Sequence, residues 1–330
     1  MSEVYLGHLS RKDMLYEYLR WEIFPRFGCD CRNGIRVFGT GGSNAVYIYE
    51  DRASCRKVVG KFFYSDRMKD WDLAGYRLRR EYDNIREFRS YLGGCHYVAD
   101  ALGCNYDLNR LLVVEYCVGT PLDSVIMQAI NHRDDALLYS KLTALAWFLA
   151  VVHNNSAKGV GVDFNRECRY FSSITGCLSD ILSGHERDAL EHLKNEWASD
   201  WAMWSDQEVL VHGDATPSNF FFGDGLHVIS FDMERVKRTD RVFDVGRLAG
   251  ELQHFFLRST GNKYAAEKFI GHFLWEYCCH FPDRRSAFDA VCRRVPFYMG
   301  TTLLRIARNG YLDRHYRRQL VNEAFNCLGR

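Results

Sequence analysis

The stretch Leu210–Glu234, LVHGDATPSNFFFGDGLHVISFDME, places several polar residues beside two short runs of strand-forming residues. Pro217 prevents the loop that carries Asp214 and Asn219 from continuing as a helix. A strand, a Gly-Asp-Gly turn and a second strand follow, and the second strand ends just before Asp232. The sequence therefore predicts a β-hairpin that brings Asn219 and Asp232 to the same end of two paired strands.

An amide oxygen and a carboxylate at one end of a hairpin are ligands that suit Mg²⁺, which also binds phosphate oxygens. Asp214, five residues before Asn219, is placed to receive a hydroxyl proton or to orient the hydroxyl. The alternative interpretation is a solvated hairpin whose charges serve only solubility. The rest of the sequence decides between the two.

Composition excludes several classes of protein. The chain has 330 residues, enough for two domains, and its net charge of +1 provides no general attraction to nucleic acid or to acidic membranes. The longest apolar run, Leu142–Val152, is shorter than the ~20 residues that span a bilayer. The N-terminus has no signal-peptide pattern, so we expect a cytoplasmic protein without nucleic-acid or membrane partners.

The twelve cysteines contain no C-x-x-C pair, which favours reduced, mostly buried thiols.

Residues 1–116 are rich in β-type runs, whereas residues 117–330 are mainly helical. A helix is predicted from about Ser10 to Phe24. The predicted strands and the inserted helix of the first part are Gly34–Gly39, Ala45–Glu50, Lys57–Phe63, the helix Asp72–Leu92, Tyr97–Ala101 and Leu111–Tyr116. In the second part the predicted helices include Leu122–Ile130, Ala136–His153 and Leu178–Trp204. We therefore predict an α+β fold with a five-stranded antiparallel sheet in domain 1–116 and a larger helical domain 117–330.

The segment RVFGTGGSNAVYIYE contains a glycine-rich turn with Gly39, Gly41, Gly42 and Ser43 between two strands. Glycines allow backbone N–H groups to approach a phosphate closely. A Rossmann loop is excluded because Asn44 replaces its third glycine and a strand follows where a helix is required. An ordinary glycine-rich hairpin turn is the alternative interpretation.

Lys61 shares one strand face with Val59 and Phe63, so an inward-facing ammonium group needs an anionic partner. The following helix offers Glu81 and Glu87, of which Glu81 lies beside the apolar stripe and is the predicted partner. The alternative is an edge-strand lysine that faces water.

The chain resembles the aminoglycoside phosphotransferase and choline kinase family in a series of features that occur in the same order. These are the glycine loop, the strand lysine, the helix glutamate, VVEYCVGTPL, HGDATPSN, ISFDME and RVFDVGRLAGEL. The members of this family are small-molecule kinases with a bilobal, protein-kinase-like fold. The resemblance covers most of the chain. Its most specific part is the pair HGDATPSN and ISFDME, which resembles the H-G-D-x-x-x-x-N and D-x-D/E motifs of that family.

The resemblance implies a role for each matching residue. Gly39, Gly41, Gly42 and Ser43 would contact the nucleotide phosphates, as would Lys61, which would also pair with Glu81. The backbone of Glu115 to Cys117 would bind the base. Asp214 would act as the catalytic base, and Asn219 and Asp232 as Mg²⁺ ligands. His212 and Asp244 would support the catalytic loop, and Glu234 is left without an assigned role.

Only eleven residues separate Asp232 from Asp244, and no A-P-E motif follows, so a docking segment for protein substrates is absent from the sequence. We predict an ATP-dependent phosphotransferase that acts on a hydroxyl of a small molecule, such as an aminoglycoside, an amino alcohol or a sugar-like acceptor. GTP is not excluded, and the oligomeric state is not predicted. The alternative is a catalytically weak nucleotide-binding scaffold with the same fold.

Two features bear on the acceptor. Residues 160–210 carry a net charge of −6, which suits a cationic acceptor but is also typical of solvated helix faces, and residues 281–330 carry +6. Trp197, Trp201 and Trp204 are predicted on one helix face, either as a cation–π cage or as core packing.

Overall fold

The computed structural model describes residues 3–40, 45–94, 96–223 and 225–329. The chain folds into two units. The first contains residues 1–90, 97–118 and 231–234, and the second contains residues 91–96, 119–230 and 235–330. The short segment 231–234, which carries Asp232, thus belongs to the first unit although its neighbours in sequence belong to the second.

The first unit is built on a six-stranded antiparallel sheet with the strand order β1-β2-β3-β4-β7-β6. Its elements are β1 Val4–His8, α1 Met14–Tyr18, β2 Ile35–Gly39, β3 Ala45–Asp51, β4 Lys57–Phe62, α2 Trp71–Ser90, β5 Tyr97–Val98, β6 Ala101–Asn105 and β7 Leu111–Glu115. The α+β class, with an antiparallel sheet in the N-terminal part, is confirmed.

The sheet has one strand more than the sequence predicts, and the predicted strand Tyr97–Ala101 is wrong: β5 covers only Tyr97–Val98 and lies outside this sheet, whose strand is β6, Ala101–Asn105. Strand β1 is largely exposed and, among the described residues, pairs with β2 alone, so its sequence lacks the alternation that marks a half-buried strand. The predicted first helix is also shorter than expected. Its α-helical part ends at Tyr18, a π-turn follows, and Pro25 and Gly28, whose φ is 70°, end the helical segment.

Helix α2 presents an apolar stripe with one acidic residue in it. Its buried residues recur at three- and four-residue intervals and are Ala74, Gly75, Leu78, Glu81, Ile85 and Phe88. Asp70 accepts the backbone N–H of Leu73 and so caps the start of the helix. Because Glu81 lies within this stripe, the packing of α2 carries its carboxylate into the interior of the first unit.

The second unit is mainly helical. Its elements are β8 Thr120–Pro121, α3 Leu122–His132, α4 Asp135–Ser156, α5 Phe164–Gly176, α6 Gly184–Ser199, β9 Val209–Val211, β10 Phe220–Phe222, β11 Val228–Ser230, β12 Lys237–Thr239, α7 Val242–Thr260, α8 Glu267–Cys278, α9 Arg284–Ala307 and α10 Arg314–Leu328. Strand β10 pairs antiparallel with β11 and β8, and β12 pairs with β9.

The single helix predicted over 178–204 is wrong. A capping box of Ser183 and Glu186 starts α6 at Gly184, and the helix ends at Ser199, after which Asp200 caps a new 3₁₀ turn by accepting the N–H of Ala202. The tryptophans of this region therefore share no helix face. Trp197 is buried and donates to the carbonyl of Leu328, whereas Trp201 is 67% exposed. The stripe is neither a cage nor a common core element.

Close packing of α7 against α9 depends on two glycines of α7. A Cβ atom at Gly246 would lie 2.4 Å from Cβ of Tyr298, and one at Gly250 would lie 2.9 Å from Cβ of Thr302. Glycine at both positions lets the two helix backbones approach each other. This contact matters for the site because both helices contribute arginines to it.

Helix α4 is long and apolar enough to cross a membrane by length and composition, and it is the one such helix among the described residues. Of its most apolar window, 56% is buried inside the protein, including Leu142, Leu145 and Leu149. Burial of this kind is typical of a core helix.

Candidate active site

Lys61 on strand β4 extends its side chain between carboxylates. Its Nζ donates to Glu81 at 2.7 Å and to Asp232 at 2.9 Å, and Glu234 lies 3.6 Å away. The side chain of Lys61 is only 12% exposed and that of Glu81 only 4%. The ion pair that the sequence predicts between Lys61 and Glu81 is thus formed, and the edge-strand alternative for Lys61 is wrong.

Three carboxylates surround one ammonium group in this cluster. Burial would lower the pKa of Lys61, but Glu81, Asp232 and Glu234 raise it above its usual range. Burial raises the pKa of Glu81 to about 7, and the carboxylates of Asp232 and Glu234 contribute to this, whereas Lys61 opposes it. The ionisation of Lys61 and Glu81 is thus governed by burial and by the neighbouring carboxylates.

The same carboxylates fit a metal ion by their chemistry. Oxygen atoms of Glu81, Asp232 and Glu234 lie within 4.8 Å of one another, and carboxylate oxygens are preferred ligands of Mg²⁺. Asp232 has a positive φ of 57°, a conformation that is uncommon outside glycine and is found at functional sites. Glu234, which the sequence left without a role, is therefore part of this cluster.

The loop between β9 and β10 in the second unit carries Asp214 and Asn219. Asn219 Nδ2 donates to the backbone carbonyl of Asp214 at 2.9 Å. This bond uses the amide nitrogen, so the carbonyl oxygen of the side chain remains an acceptor. In the hairpin that follows, Phe220 pairs with Ser230, so the chain enters the hairpin directly after Asn219 and leaves it two residues before Asp232.

Asp244, in the first turn of α7, holds the backbone of this loop. Its carboxylate accepts the N–H of His212 at 2.6 Å and that of Gly213 at 2.9 Å, and His153 lies 3.4 Å away. Burial would raise the pKa of Asp244, but the bond to His153 and these donors lower it below its usual range. Asp244 thus contacts the loop that carries Asp214, as the resemblance implies, and His212 is one of the two residues that it holds.

Gly213 is required at its position. Its φ is 78°, and a Cβ atom there would lie 2.0 Å from the carbonyl oxygen of Arg235. Any side chain would push the segment of Arg235 away from the loop, which explains the glycine in the HGD sequence directly before Asp214.

Three arginines surround the carboxylate of Asp214. Arg247 Nη1 donates to Oδ1 at 2.7 Å, Arg235 lies 3.7 Å from Oδ2, and Arg305 lies 3.8 Å from Oδ1. Arg247 also donates to the carbonyl of Gly213. Burial would raise the pKa of Asp214, but Arg247, Arg305 and Arg235 lower it below the usual aspartate value. Asp214 is therefore held ionised.

Arg247 and Arg305 have further partners in the second unit. Arg247 Nη2 donates to the hydroxyl of Tyr170 on α5 at 2.8 Å, and its guanidinium lies 4.9 Å from the ring centre of Phe243. Arg305 on α9 forms an ion pair with Glu251 on α7. Sequence analysis assigned no role to these residues. The sequence feature that could have indicated a role for Arg247 is its position three residues after Asp244, which puts both residues on the same face of α7.

The predicted nucleotide-contacting residues are placed as follows. Gly39 ends β2 and pairs with Tyr47, and Glu115 ends β7, where its N–H donates to the carbonyl of Asp100 at 2.9 Å. Cys117 follows two residues later, and burial raises the pKa of its thiol to about 12. Gly41, Gly42 and Ser43 lie outside the described residues.

The acidic excess of residues 160–210 is largely neutralised by the basic C-terminal part of the chain. Four acids of the first segment pair with four arginines of the second. These pairs are Asp180–Arg317, Glu186–Arg318, Asp200–Arg293 and Asp206–Arg294. The two opposite charge excesses in the sequence are therefore complementary, and these four acids are not an open acidic surface.

Comparison with known proteins identifies the class. The sequence profile of the phosphotransferase enzyme family (APH) matches residues 34–279, about three quarters of the chain. The chain belongs to this family and is a small-molecule kinase, as the sequence predicts. None of the curated proteins matches the chain by sequence.

Solved structures with the same fold share little sequence with the chain. An ADP-bound aminoglycoside phosphotransferase is 14% identical, with 97% of this chain and 98% of that one covered and a TM-score of 0.57. An ethanolamine kinase from Plasmodium vivax is 14% identical, with 97% and 88% covered and a TM-score of 0.57. A choline kinase from Cryptosporidium parvum is 10% identical, with 96% and 95% covered and a TM-score of 0.61. At these identities the likeness shows the kinase-like fold, and the predicted fold class is confirmed.

Proposed function

We propose that the protein is an ATP-dependent phosphotransferase that moves the γ-phosphate to a hydroxyl of a small molecule in the cytoplasm. The observation that carries this proposal is the position of Lys61, which is buried between Glu81 on one side and Asp232 and Glu234 on the other. A purely structural lysine needs one carboxylate, whereas three carboxylates suit a site that also takes a cation and the phosphates that accompany it.

Lys61 would bind the α- and β-phosphates, with Glu81 fixing the direction of its side chain. Asp232 and Asn219 would hold Mg²⁺, which would supply charge neutralisation to the triphosphate, and Glu234 is a further candidate ligand. This assignment is what the HGDATPSN and ISFDME motifs imply by their resemblance to the family. The nucleotides in related structures, ADP in one and GDP in another, support a nucleotide site.

Asp214 would accept the proton of the acceptor hydroxyl or orient that hydroxyl for attack. Its lowered pKa makes it a weak base, so orientation is its main contribution. This agrees with phosphoryl transfer, in which positioning and charge stabilisation do most of the work. The hydrogen bonds from Arg247 to Asp214 and Gly213 keep the carboxylate in one place.

The direct test compares wild type with Asp214→Asn in ATP hydrolysis and in acceptor-stimulated ADP release. Asp188→Asn is a matched control because Asp188 is an exposed aspartate on α6. We expect Asp214→Asn to lose activity by about 10²-fold or more while still being stabilised by Mg·ATP. If wild type hydrolyses ATP no faster than Asp214→Asn, the protein is a nucleotide-binding scaffold instead.

A further inference from the structure

We infer that Arg110, in the turn between β6 and β7, is a positioning residue that keeps Glu81 against Lys61. The inference rests on the proposed function, because it explains how the lysine proposed to bind the phosphates and its glutamate partner are held together. Arg110 acts through helix α2 and the sheet rather than by contact with the nucleotide. Sequence analysis assigned no role to it.

The backbone of Arg110 is tied to the strand that carries Lys61. The carbonyl of Arg110 accepts the N–H of Phe63 at 3.1 Å, and the carbonyl of Asn109 accepts the N–H of Tyr64 at 3.1 Å. These two bonds extend the antiparallel ladder between β4 and β7. The sheet therefore sets the position of Arg110 relative to Lys61, two residues before Phe63.

The side chain of Arg110 is tied to helix α2, which carries Glu81. Its guanidinium lies 4.2 Å from the ring centre of Trp71, and its Nε donates to the carbonyl of Trp71 at 3.3 Å. Its Nη1 donates to the carbonyl of Tyr106 at 3.0 Å, and the ring centre of Tyr106 lies 5.2 Å away. One residue thus connects the strand of Lys61 with the first turn of the helix of Glu81.

Gly75 lets the guanidinium lie directly on the helix. A Cβ atom at this position would lie 3.2 Å from Nε of Arg110. Gly75, Leu78 and Glu81 are buried and recur every three residues along one stripe of α2. The contact is therefore made at the N-terminal end of the stripe that carries Glu81 into the interior. Because a helix moves as a stiff rod over two turns, a shift at Gly75 would move the carboxylate of Glu81 as well.

The contact forms although three local preferences oppose it. Arg110 has a φ of 55° and Asn109 a φ of 50°, and arginine adopts this left-handed conformation only rarely. A cation beside the N-terminus of a helix is disfavoured by the helix dipole, and glycine is less favourable than alanine inside a helix. Strained conformations persist where the surrounding structure requires them and are typical of functional sites. We therefore assign the contact to the placement of α2.

A second contact holds α2 on the other side of Glu81. Asn84 Nδ2 donates to the carbonyl of Met233 at 2.7 Å, in the segment that carries Asp232 and Glu234. Glu81 thus lies between a contact with the sheet and a contact with the segment of the proposed metal ligands. The contact with the sheet is the one to test, because its removal leaves that segment unchanged.

The experiment measures the ion pair and turnover separately. The Nζ resonance of Lys61 in NMR, assigned by its absence in Lys61→Met, reports the ion pair without turnover. Hydrolysis of Mg·ATP gives kcat and the KM for ATP. We expect Arg110→Met to shift the resonance and to lower kcat about tenfold, with a smaller change in KM and partial recovery in Arg110→Lys. Arg77→Met is the matched control, since Arg77 is an exposed arginine on the same helix, and it should behave as wild type.

A double-variant cycle separates positioning from general stability. Glu81→Gln removes the carboxylate that Arg110 is inferred to place, so Arg110→Met should cause no further loss of kcat in that background. Gly75→Ala covers the case in which Arg110→Met does not fold. Its methyl group displaces the guanidinium, so it should lower kcat by a smaller factor in the wild-type background and leave kcat unchanged in Glu81→Gln.

Three results distinguish the possible outcomes. An unchanged resonance or an unchanged kcat in Arg110→Met would overturn the inference. An equal loss of kcat in the wild-type and Glu81→Gln backgrounds would overturn it too, because it would assign Arg110 to stability alone. By contrast, hydrolysis in wild type that is no faster than in Asp214→Asn rejects the proposed function, whereas a shifted Nζ resonance in Arg110→Met would still support the placement of Glu81.

Discussion

Arg247 Nη1 lies 2.7 Å from Asp214 Oδ1, so helix α7 fixes the side chain of the residue proposed to orient the acceptor. Asp244, one turn earlier on the same helix, holds the backbone of the same loop through His212 and Gly213. One face of α7 therefore controls both the path of the loop and the ionisation of its aspartate. A sequence of four residues, Asp244 to Arg247, supplies both contacts.

The first prediction concerns the pH dependence of activity in Arg247→Met. In the proposed function Asp214 acts when ionised, and its pKa is below the usual value because Arg247, Arg305 and Arg235 outweigh the effect of burial. Without Arg247, fewer positive charges oppose the effect of burial on the Asp214 carboxylate, so the pKa of Asp214 rises. We expect the acidic limb of the kcat/KM profile to move to higher pH, with less movement in Arg247→Lys. An unchanged limb would mean that Arg247 does not control the ionisation of Asp214.

The second prediction concerns Lys61→Met. The variant removes the cation between Glu81 and Asp232, and we expect turnover to fall by roughly 10²-fold or more because the phosphates lose a fixed positive partner. Lys57→Met, on the same strand, removes a lysine that pairs with Glu3 and is the matched control. Steady-state kinetics measure both variants. Full activity in Lys61→Met would remove this residue from the phosphate site.

The third prediction concerns Asp232→Asn. Asparagine tolerates the positive φ of this position, so the variant removes the charge and keeps the backbone. We expect the stabilisation by ADP that depends on Mg²⁺ to disappear in a thermal-shift titration, and Glu234→Gln to weaken it less. Asp107→Asn, in an exposed turn of the first unit, should behave as wild type. Undiminished Mg²⁺ dependence in Asp232→Asn would contradict the metal assignment.

Local pattern was sufficient for the elements that carry the proposed nucleotide site. The alternation around Lys61 and the stripe of α2 around Glu81 each determine which way a side chain faces, and the ion pair between the two residues follows from both. The same holds for the hairpin after Asn219, whose short turn fixes the pairing of Phe220 with Ser230.

Local patterns of this kind do not predict contacts between residues that are distant in the sequence. Arg305 is 91 residues from Asp214 and reaches it only because Gly246 and Gly250 let α9 pack closely on α7. The break after Asp200 was missed because the ion pair with Arg293 and the cap on Ala202 outweigh the apolar spacing of the tryptophans. Strand β1 was missed because it is an exposed edge strand without alternation.

The fourth prediction concerns Asp244→Asn. The variant keeps one acceptor oxygen but replaces the other with an amide that donates, so the N–H of either His212 or Gly213 loses its partner. Because these groups are buried, we expect the free energy of unfolding to fall by about 1–3 kcal/mol. The kcat should fall while the affinity for ADP stays close to wild type, since the loop of Asp214 loosens. Equal stability and kcat in both proteins would contradict the role of Asp244.

The last prediction tests the helix contact that places Arg305. Gly246→Ala puts a Cβ atom 2.4 Å from Cβ of Tyr298, so α7 and α9 must separate, and we expect a loss of about 1–3 kcal/mol in the free energy of unfolding. Gly271→Ala on α8 is the control, because a Cβ atom there meets nothing within 4 Å among the described residues. Since alanine favours helix, this control should gain up to about 1 kcal/mol. Chemical denaturation measures both variants, and equal effects of the two substitutions would show that the contact does not depend on glycine.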